Sequence, residues 1–174
     1  MKTPLKICER WEILMSSMKK LHIQPAAESD IKSIAGIVKK SFVQYCNAIG
    51  IDTMEALQES EQDVRRDLLH KHVYVAYWEG IPVGSLRVEI KGEKAYISRF
   101  AILPEYQGLG IGSEMLSFAE KSLVSSPAEM VELYSAVENS RLKDFYLSKG
   151  YQIASIECSK GYQRGLFRKT LHKV

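Results

Sequence analysis

The chain is short of the features that assign a protein at a glance. Its three cysteines, Cys8, Cys46 and Cys158, are odd in number, widely spaced and form no CxxC pair. That spacing argues against a disulfide framework or a thiolate zinc site and leads us to expect a reducing, cytoplasmic setting. No uncharged apolar run approaches the roughly 20 residues a membrane span needs. Near the N-terminus, Glu9, Arg10 and Glu12 interrupt the stretch that a secretion signal would keep apolar. Neither sign of charge dominates: 24 Lys and Arg against 21 Asp and Glu leave a net +3. So small an excess argues against a nucleic-acid partner. Basic residues thicken only toward the end (Lys160, Arg164, Arg168, Lys169, Lys173), as in a solvated last strand and tail. Internal repeats and low-complexity linkers are absent.

What is there is ordinary globular composition, with 45% apolar and 26% charged residues over 174 positions. A single domain with a real core is the expectation. Residues 1–19 read as an extension, in which Trp11, Leu14, Met15 and Met18 have helical spacing; Met15 or Met18 would also serve as alternative starts. The organised part, residues 20–174, opens with a short strand, Leu21–Gln24, closed by Pro25. Ile31, Ile34, Ala35, Val38 and Phe42 then predict a helix, with Ser29 or Asp30 to cap it and Gly50 to end it. Ser60 followed by Asp63 has capping-box spacing and opens a second helix. The β-branched and aromatic run Val73–Trp78, the Glu79-Gly80 turn, Ile81–Ile90, a turn at Gly92 and Ala95–Leu103 predict a three-stranded meander. A helix after the glycines, a strand at Val131–Val137, a helix at Ser140–Lys149 stopped by Gly150, and strands at Tyr151–Glu157 and Leu166–Leu171 complete the order. The fold class is α/β, a mixed sheet with helices on both faces.

The most informative stretch runs from Ile97 through Pro104 to Gln107-Gly108-Leu109-Gly110-Ile111-Gly112-Ser113. A strand stops at a proline, a polar turn follows, and three alternating glycines open an amphipathic helix. Glycine lets successive N–H groups turn toward one point and lets a ligand approach without meeting a Cβ. With the free donors and positive end of the helix start, this makes an anion site suited to a diphosphate. Alternating glycines are also plain turn and packing residues. A dinucleotide fingerprint fits poorly, since Ser113 and Met115 stand where its last glycine belongs, and Glu132 and Glu138 reach the ribose acid's place only by stretching the spacing. A Walker loop would need Gly-Lys-Ser/Thr where the chain reads Gly-Ser-Glu.

At these residues the chain resembles the GNAT superfamily of N-acetyltransferases. Gln107-Gly108-Leu109-Gly110-Ile111-Gly112 after Ile102-Leu103-Pro104 is similar to the family's Gln/Arg-x-x-Gly-x-Gly/Ala signature. Asn139 followed by Phe145-Tyr146-Leu147-Ser148-Lys149-Gly150-Tyr151 is similar to its second block. The resemblance runs from about Leu21 to the C-terminus. It implies a largely antiparallel sheet of about six to seven strands and acetyl-coenzyme A as acyl donor, with no metal. The amides of Gly108, Leu109, Gly110, Ile111, Gly112 and Ser113, helped by the Gln107 side chain, would hold the pyrophosphate. A bulge would free the backbone of Phe100, Ala101 and Ile102 to pair with the pantetheine arm. Asn139 would cap a helix, touch the cofactor, or both. Tyr146 would be a core aromatic beside Phe145, or the general acid that protonates the leaving thiolate.

A general base is less legible. Tyr96 and Ser98 share the inner face of their strand, and neither is a good base; Glu89 or Glu138 would act through water, or would simply be solvated. His70 and His72 lack a third ligand for a metal site. The implied activity is acetyl transfer to a primary amine of a small molecule or peptide by direct attack in a ternary complex. The alternatives are a non-catalytic coenzyme A-binding module, or a transferase using a longer acyl-coenzyme A or an acyl carrier protein. The resemblance places the acceptor side at Val43–Glu59, where Tyr45, Asn47 and Asp52 are candidate lining residues or simply residues of a loop. A membrane partner is not expected, and a homodimer is admitted.

Overall fold

A computed structural model describes residues 20–159 and 161–172; the N-terminal extension and its candidate helix lie outside the described residues. Seven strands, β1 (Leu21–Pro25), β2 (His72–Trp78), β3 (Ile81–Lys91), β4 (Lys94–Ile102), β5 (Met130–Ala136), β6 (Gln152–Ser159) and β7 (Tyr162–Thr170), form one sheet in the order β1-β2-β3-β4-β5-β7-β6. Every neighbouring pair is antiparallel except β4 and β5. Helices α1 (Ile31–Ile49) and α2 (Glu61–His70) cover one face. Helices α3 (Ile111–Ser122) and α4 (Ser140–Ser148) cover the other. Among the described residues no helix is long and apolar enough to cross a membrane.

Local signals explain the helices. In α1, Ile31, Ile34, Ile37 and Val38 are buried at helical spacing, and Gly50 closes the helix with φ +69, its N–H bonded to the Cys46 carbonyl. Asp30 starts α1 without capping it: its carboxylate is taken by the Ala27 N–H at 2.8 Å and by the Tyr77 hydroxyl. Ser60 and Asp63 form the expected reciprocal box at the head of α2. The closing strand is longer than its apolar residues suggest. It begins at Tyr162, where Gly161, with φ +84, turns β6 back into a hairpin.

The core divides by face. Leu86, Val88, Ala95, Ile97, Met115, Leu116, Tyr146 and Phe167 pack on the α3/α4 side; Ile34, Val38, Val64, Val73 and Ala101 pack on the α1/α2 side. A charged cluster sits inside the second layer. Arg87 of β3 is buried, donating to both oxygens of Glu59 at 2.7 and 2.6 Å and to Asp67 at 2.6 Å. Breaking a buried pair from one side leaves an uncompensated charge. Arg87→Ala is therefore expected to lower the unfolding free energy by about 3–5 kcal/mol, read by urea denaturation. A loss under about 1 kcal/mol would mean that water already reaches the carboxylates.

Candidate active site

The site begins where two strands part. β4 and β5 pair in parallel from Lys94 beside Met130 to Ile97 beside Leu133, and there the pairing stops. The cause is a bulge in β4: Ser85 faces Ala101 and Arg87 faces Ser98, so Arg99 and Phe100 together stand opposite Leu86. Arg99 has φ +49, a left-handed conformation that few non-glycine residues adopt. A bulge sharpens twist and turns the strand away from its neighbour. β5 meanwhile stays with β7 as far as Ala136.

The backbone of Phe100, Ala101 and Ile102 thus borders an opening on the β5 side. Ile102 sends its carbonyl away from β3, to the Ser41 hydroxyl at 3.0 Å and the Gln107 side chain at 3.0 Å. Since alternate residues of an antiparallel strand turn their amides to opposite edges, Phe100 faces the opening too, and Ala101 faces β3. The bulge also restores the side-chain face: Phe100 and Ile102 join Ala95 and Ile97 on the α3/α4 side, and Ala101 joins the other core.

Pro104–Tyr106 makes one 3-10 turn and delivers the glycine loop to the mouth of this opening. Gly108 and Gly110 have φ +80 and +82, so both need glycine for conformation. Gly110 is the N-cap of α3 and offers no side-chain oxygen, which leaves the first-turn N–H groups of α3 free for a ligand. Gly112 is glycine for a different reason: an added Cβ would lie 3.3 Å from Ile102 Cδ1 and 3.7 Å from the rings of Phe100 and Phe145. Its absence brings α3 close to β4 and α4.

Gln107 spans the loop. Its Nε2 donates to Gln44 of α1 at 2.8 Å as well as to Ile102, and its Oε1 accepts from Arg141 Nη1 at 3.2 Å. The sequence reading did not single out Arg141, two residues beyond Asn139. Its exposed guanidinium supplies beside the loop the positive charge that Gln107 lacks. Asn139 is the cap of α4, its Oδ1 accepting from Leu142 N at 3.2 Å.

Tyr146 lies on the inner side of α4, buried, with ring centroids 5.2 Å from Phe145, 5.3 Å from Phe167 and 5.9 Å from Tyr151. Burial pushes its phenol well above the ordinary value, and the nearby Tyr45 phenol adds a smaller push. Tyr45 belongs to α1 rather than to a loop. It reaches across to β5, where its hydroxyl oxygen accepts from Ala136 N at 2.7 Å, and burial raises its pKa as well. Two phenols therefore converge where β5 runs on without β4.

The candidate bases are placed less favourably. Glu89 stands opposite Tyr96, upstream of the bulge, ion-paired to Lys91 at 3.1 Å. Glu138 accepts from Gln163 N at 3.2 Å beyond the end of β5. Asn47 and Asp52 are exposed. His70 ends α2 and His72 opens β2, so they do not share a strand, and among the described residues no cluster of metal-ligating side chains occurs. The carboxylate nearest the bulge is Glu59, which also receives Arg99 Nε at 3.0 Å.

A sheet that opens at a bulge, with a glycine-led helix start at the opening, defines the acyl-coenzyme A transferase class of fold. The chain belongs to the GNAT acetyltransferase family, whose model matches residues 42–151. A candidate acetyltransferase of Bacillus subtilis (strain 168) is 30% identical over 94 residues, 52% of this chain and 61% of that protein. The chain thus spans less than two thirds of that relative's length. The fold is shared with the PaiA N-acetyltransferase of Thermoplasma acidophilum, solved in complex with coenzyme A, at 20% identity, TM-score 0.74, and coverage of 86% of this chain and 98% of that one. It is shared also with the Salmonella typhimurium acetyltransferase that modifies the N-terminal serine of a 50S ribosomal subunit protein, at 16% identity, TM-score 0.71, covering 88% and 96%.

Gly110→Glu forces a side chain onto a left-handed backbone at a cost of roughly 1–2 kcal/mol and sets a negative charge at the head of α3. Calorimetric titration is expected to show coenzyme A binding lost while the circular dichroism spectrum is kept. Retained binding within tenfold of the parent would take the loop out of the site.

Proposed function

We propose that the protein transfers an acetyl group from acetyl-coenzyme A to a primary amine, by direct attack with donor and acceptor bound together. The observation that carries this reading is the parting of β4 from β5 at the Arg99–Phe100 bulge, with the amides of Gly108–Ser113 at the opening's mouth. Those amides and Arg141 suit the doubly charged pyrophosphate, and the Phe100 edge suits the amides of a pantetheine arm. Bound there, the thioester supplies an acetyl group activated toward amines and a thiol as leaving group.

Tyr146 is a phenol and so carries its proton throughout the neutral range, with burial raising its pKa further, and it holds that proton for a departing sulfur. Tyr45 fixes the end of β5 through the Ala136 amide. A free carboxylate or imidazole base does not face the bulge among the described residues, since Glu59 is held by Arg87 and Arg99. Such a site suits an amine that loses its proton readily. A peptide α-amine, with a pKa near 8 where lysine has about 10.4, meets that need. The fold neighbour that modifies an N-terminal serine works on an amine of this kind.

The same shortage of a base favours a second reading, a coenzyme A-binding module without turnover. Thiol release, followed with acetyl-coenzyme A and a panel of α-amines, ε-amines and polyamines, separates the two. The transferase reading expects release that depends on the amine; tight coenzyme A binding with none would support the module. Tyr146→Phe is expected to lower kcat by about 100-fold, the ordinary worth of a general acid, while coenzyme A affinity changes less than threefold. Full activity in that variant would remove Tyr146 from the proton's path.

A further inference from the structure

Building on the transferase reading, we infer that Arg99 recognises an oxyanion on the acceptor, a carboxylate first of all, so that the amine acetylated belongs to an anionic molecule. Arg99 stands two residues past the last β4–β5 pair, at the corner of the opening. Its side chain is 27% exposed and lies on the α1/α2 side, since it reaches Glu59 as Arg87 does. That is the side of the Val43–Glu59 segment, opposite the helix α3 whose start heads the donor loop.

The charges around it do not balance. Glu59 and Asp67 are the two carboxylates of the cluster; Arg87, Arg99 and Lys71 are its three cations. Glu59 is nearly buried, with its side chain 4% exposed, and both its oxygens are already occupied by Arg87. Asp67 is shared between Arg87 and Lys71. Arg99 is therefore not needed to neutralise Glu59, and the cluster carries one positive charge in excess. Of the two arginines only Arg99 reaches the surface to any extent. It is also fixed: Glu59 accepts from Nε at 3.0 Å, whereas neither terminal nitrogen donates a hydrogen bond among the described residues.

A guanidinium held by one edge with two parallel donors left over is shaped for bidentate capture of a carboxylate or phosphate. The conformation of Arg99 points the same way. A left-handed φ in a non-glycine residue persists where the surroundings over-determine it, and such positions concentrate at binding sites. The bulge accounts for that φ, and it also fixes where the Arg99 side chain leaves the strand.

Two acceptor types carry an α-amine with an oxyanion close by: a free amino acid, and a peptide whose second residue is acidic. Both are tested as matched pairs with acetyl-coenzyme A. Free amino acids are compared with their primary amides, and amidated peptides with aspartate or glutamate second are compared with their asparagine or glutamine counterparts. The wild-type protein is expected to favour the anionic member at least tenfold in kcat/KM in one of the two sets, which identifies the source of the oxyanion. In Arg99→Gln that ratio should fall to within about twofold of unity. Arg99→Lys, which keeps the charge and loses the fork, should recover part of it. A wild-type ratio near one in both sets, or a ratio unmoved by Arg99→Gln, overturns the inference and leaves acetyl transfer standing. Coenzyme A bound with no pair acetylated overturns this inference, and it overturns the transferase reading as well only where ε-amines and polyamines also release no thiol.

Discussion

One missing ladder bond holds the arrangement together. After Ile97 and Leu133, β4 and β5 stop pairing because a single extra residue at Arg99 and Phe100 turns β4 aside. Without that residue the parallel pair would run on, the Phe100 edge would be satisfied by β5, and the glycine loop would open onto a closed sheet. Unpaired strand edges are normally covered or blunted because they recruit other chains. Here the exposed edge is short and internal, so it is accessible to a narrow ligand and not to another sheet. The two sides of the opening then take different chemistry from their flanking helices: free amides, Arg141 and the Tyr146 phenol on the α3/α4 side, the Tyr45 phenol and an arginine cluster on the α1/α2 side.

The loop proposed for the donor is legible in the primary structure because its parts are local. Gln107 to Ser113 is one continuous segment, and the conformations it needs are written in its glycines, two for positive φ and one for close packing. Asn139 and Tyr146 lie seven residues apart on one helix and its cap. Turn chemistry and the order of elements mark the glycine loop, while Asn139 and Tyr146 stand out through the resemblance to the family's second block. Strand and helix positions followed from periodicity in the same way, and the early start of β7 escaped because its first residues, Tyr162-Gln163-Arg164-Gly165, hold no apolar alternation beside a hairpin turn.

The proposed acceptor half was legible only as the segment Val43–Glu59 with Tyr45 in it; its contacts were not, and the reason is distance along the chain. Arg87 meets Glu59 across 28 positions and Asp67 across 20, and Arg99 meets Glu59 across 40. Tyr45 bonds Ala136 across 91. Nothing in local spacing marks such pairs. Arg87 did leave a trace, since it sits between Leu86 and Val88 in a strand buried on both faces, where a charge needs a partner. The identity of that partner becomes visible only when the segment after α1 folds over the sheet.

The way Glu59 is shared has a bearing on how this chain can drift over generations. One carboxylate serves two arginines from adjacent strands, and a third contact passes through Asp67 to α2. Changing Glu59 alone would leave cations facing each other in a dry layer, and changing Arg87 alone would leave Glu59 and Asp67 with one cation each, Arg99 and Lys71. Neighbours coupled in this manner do not vary independently. Homologues should then differ here by concerted exchange, either retaining the entire charged set or replacing it with an apolar one, with few sequences caught between.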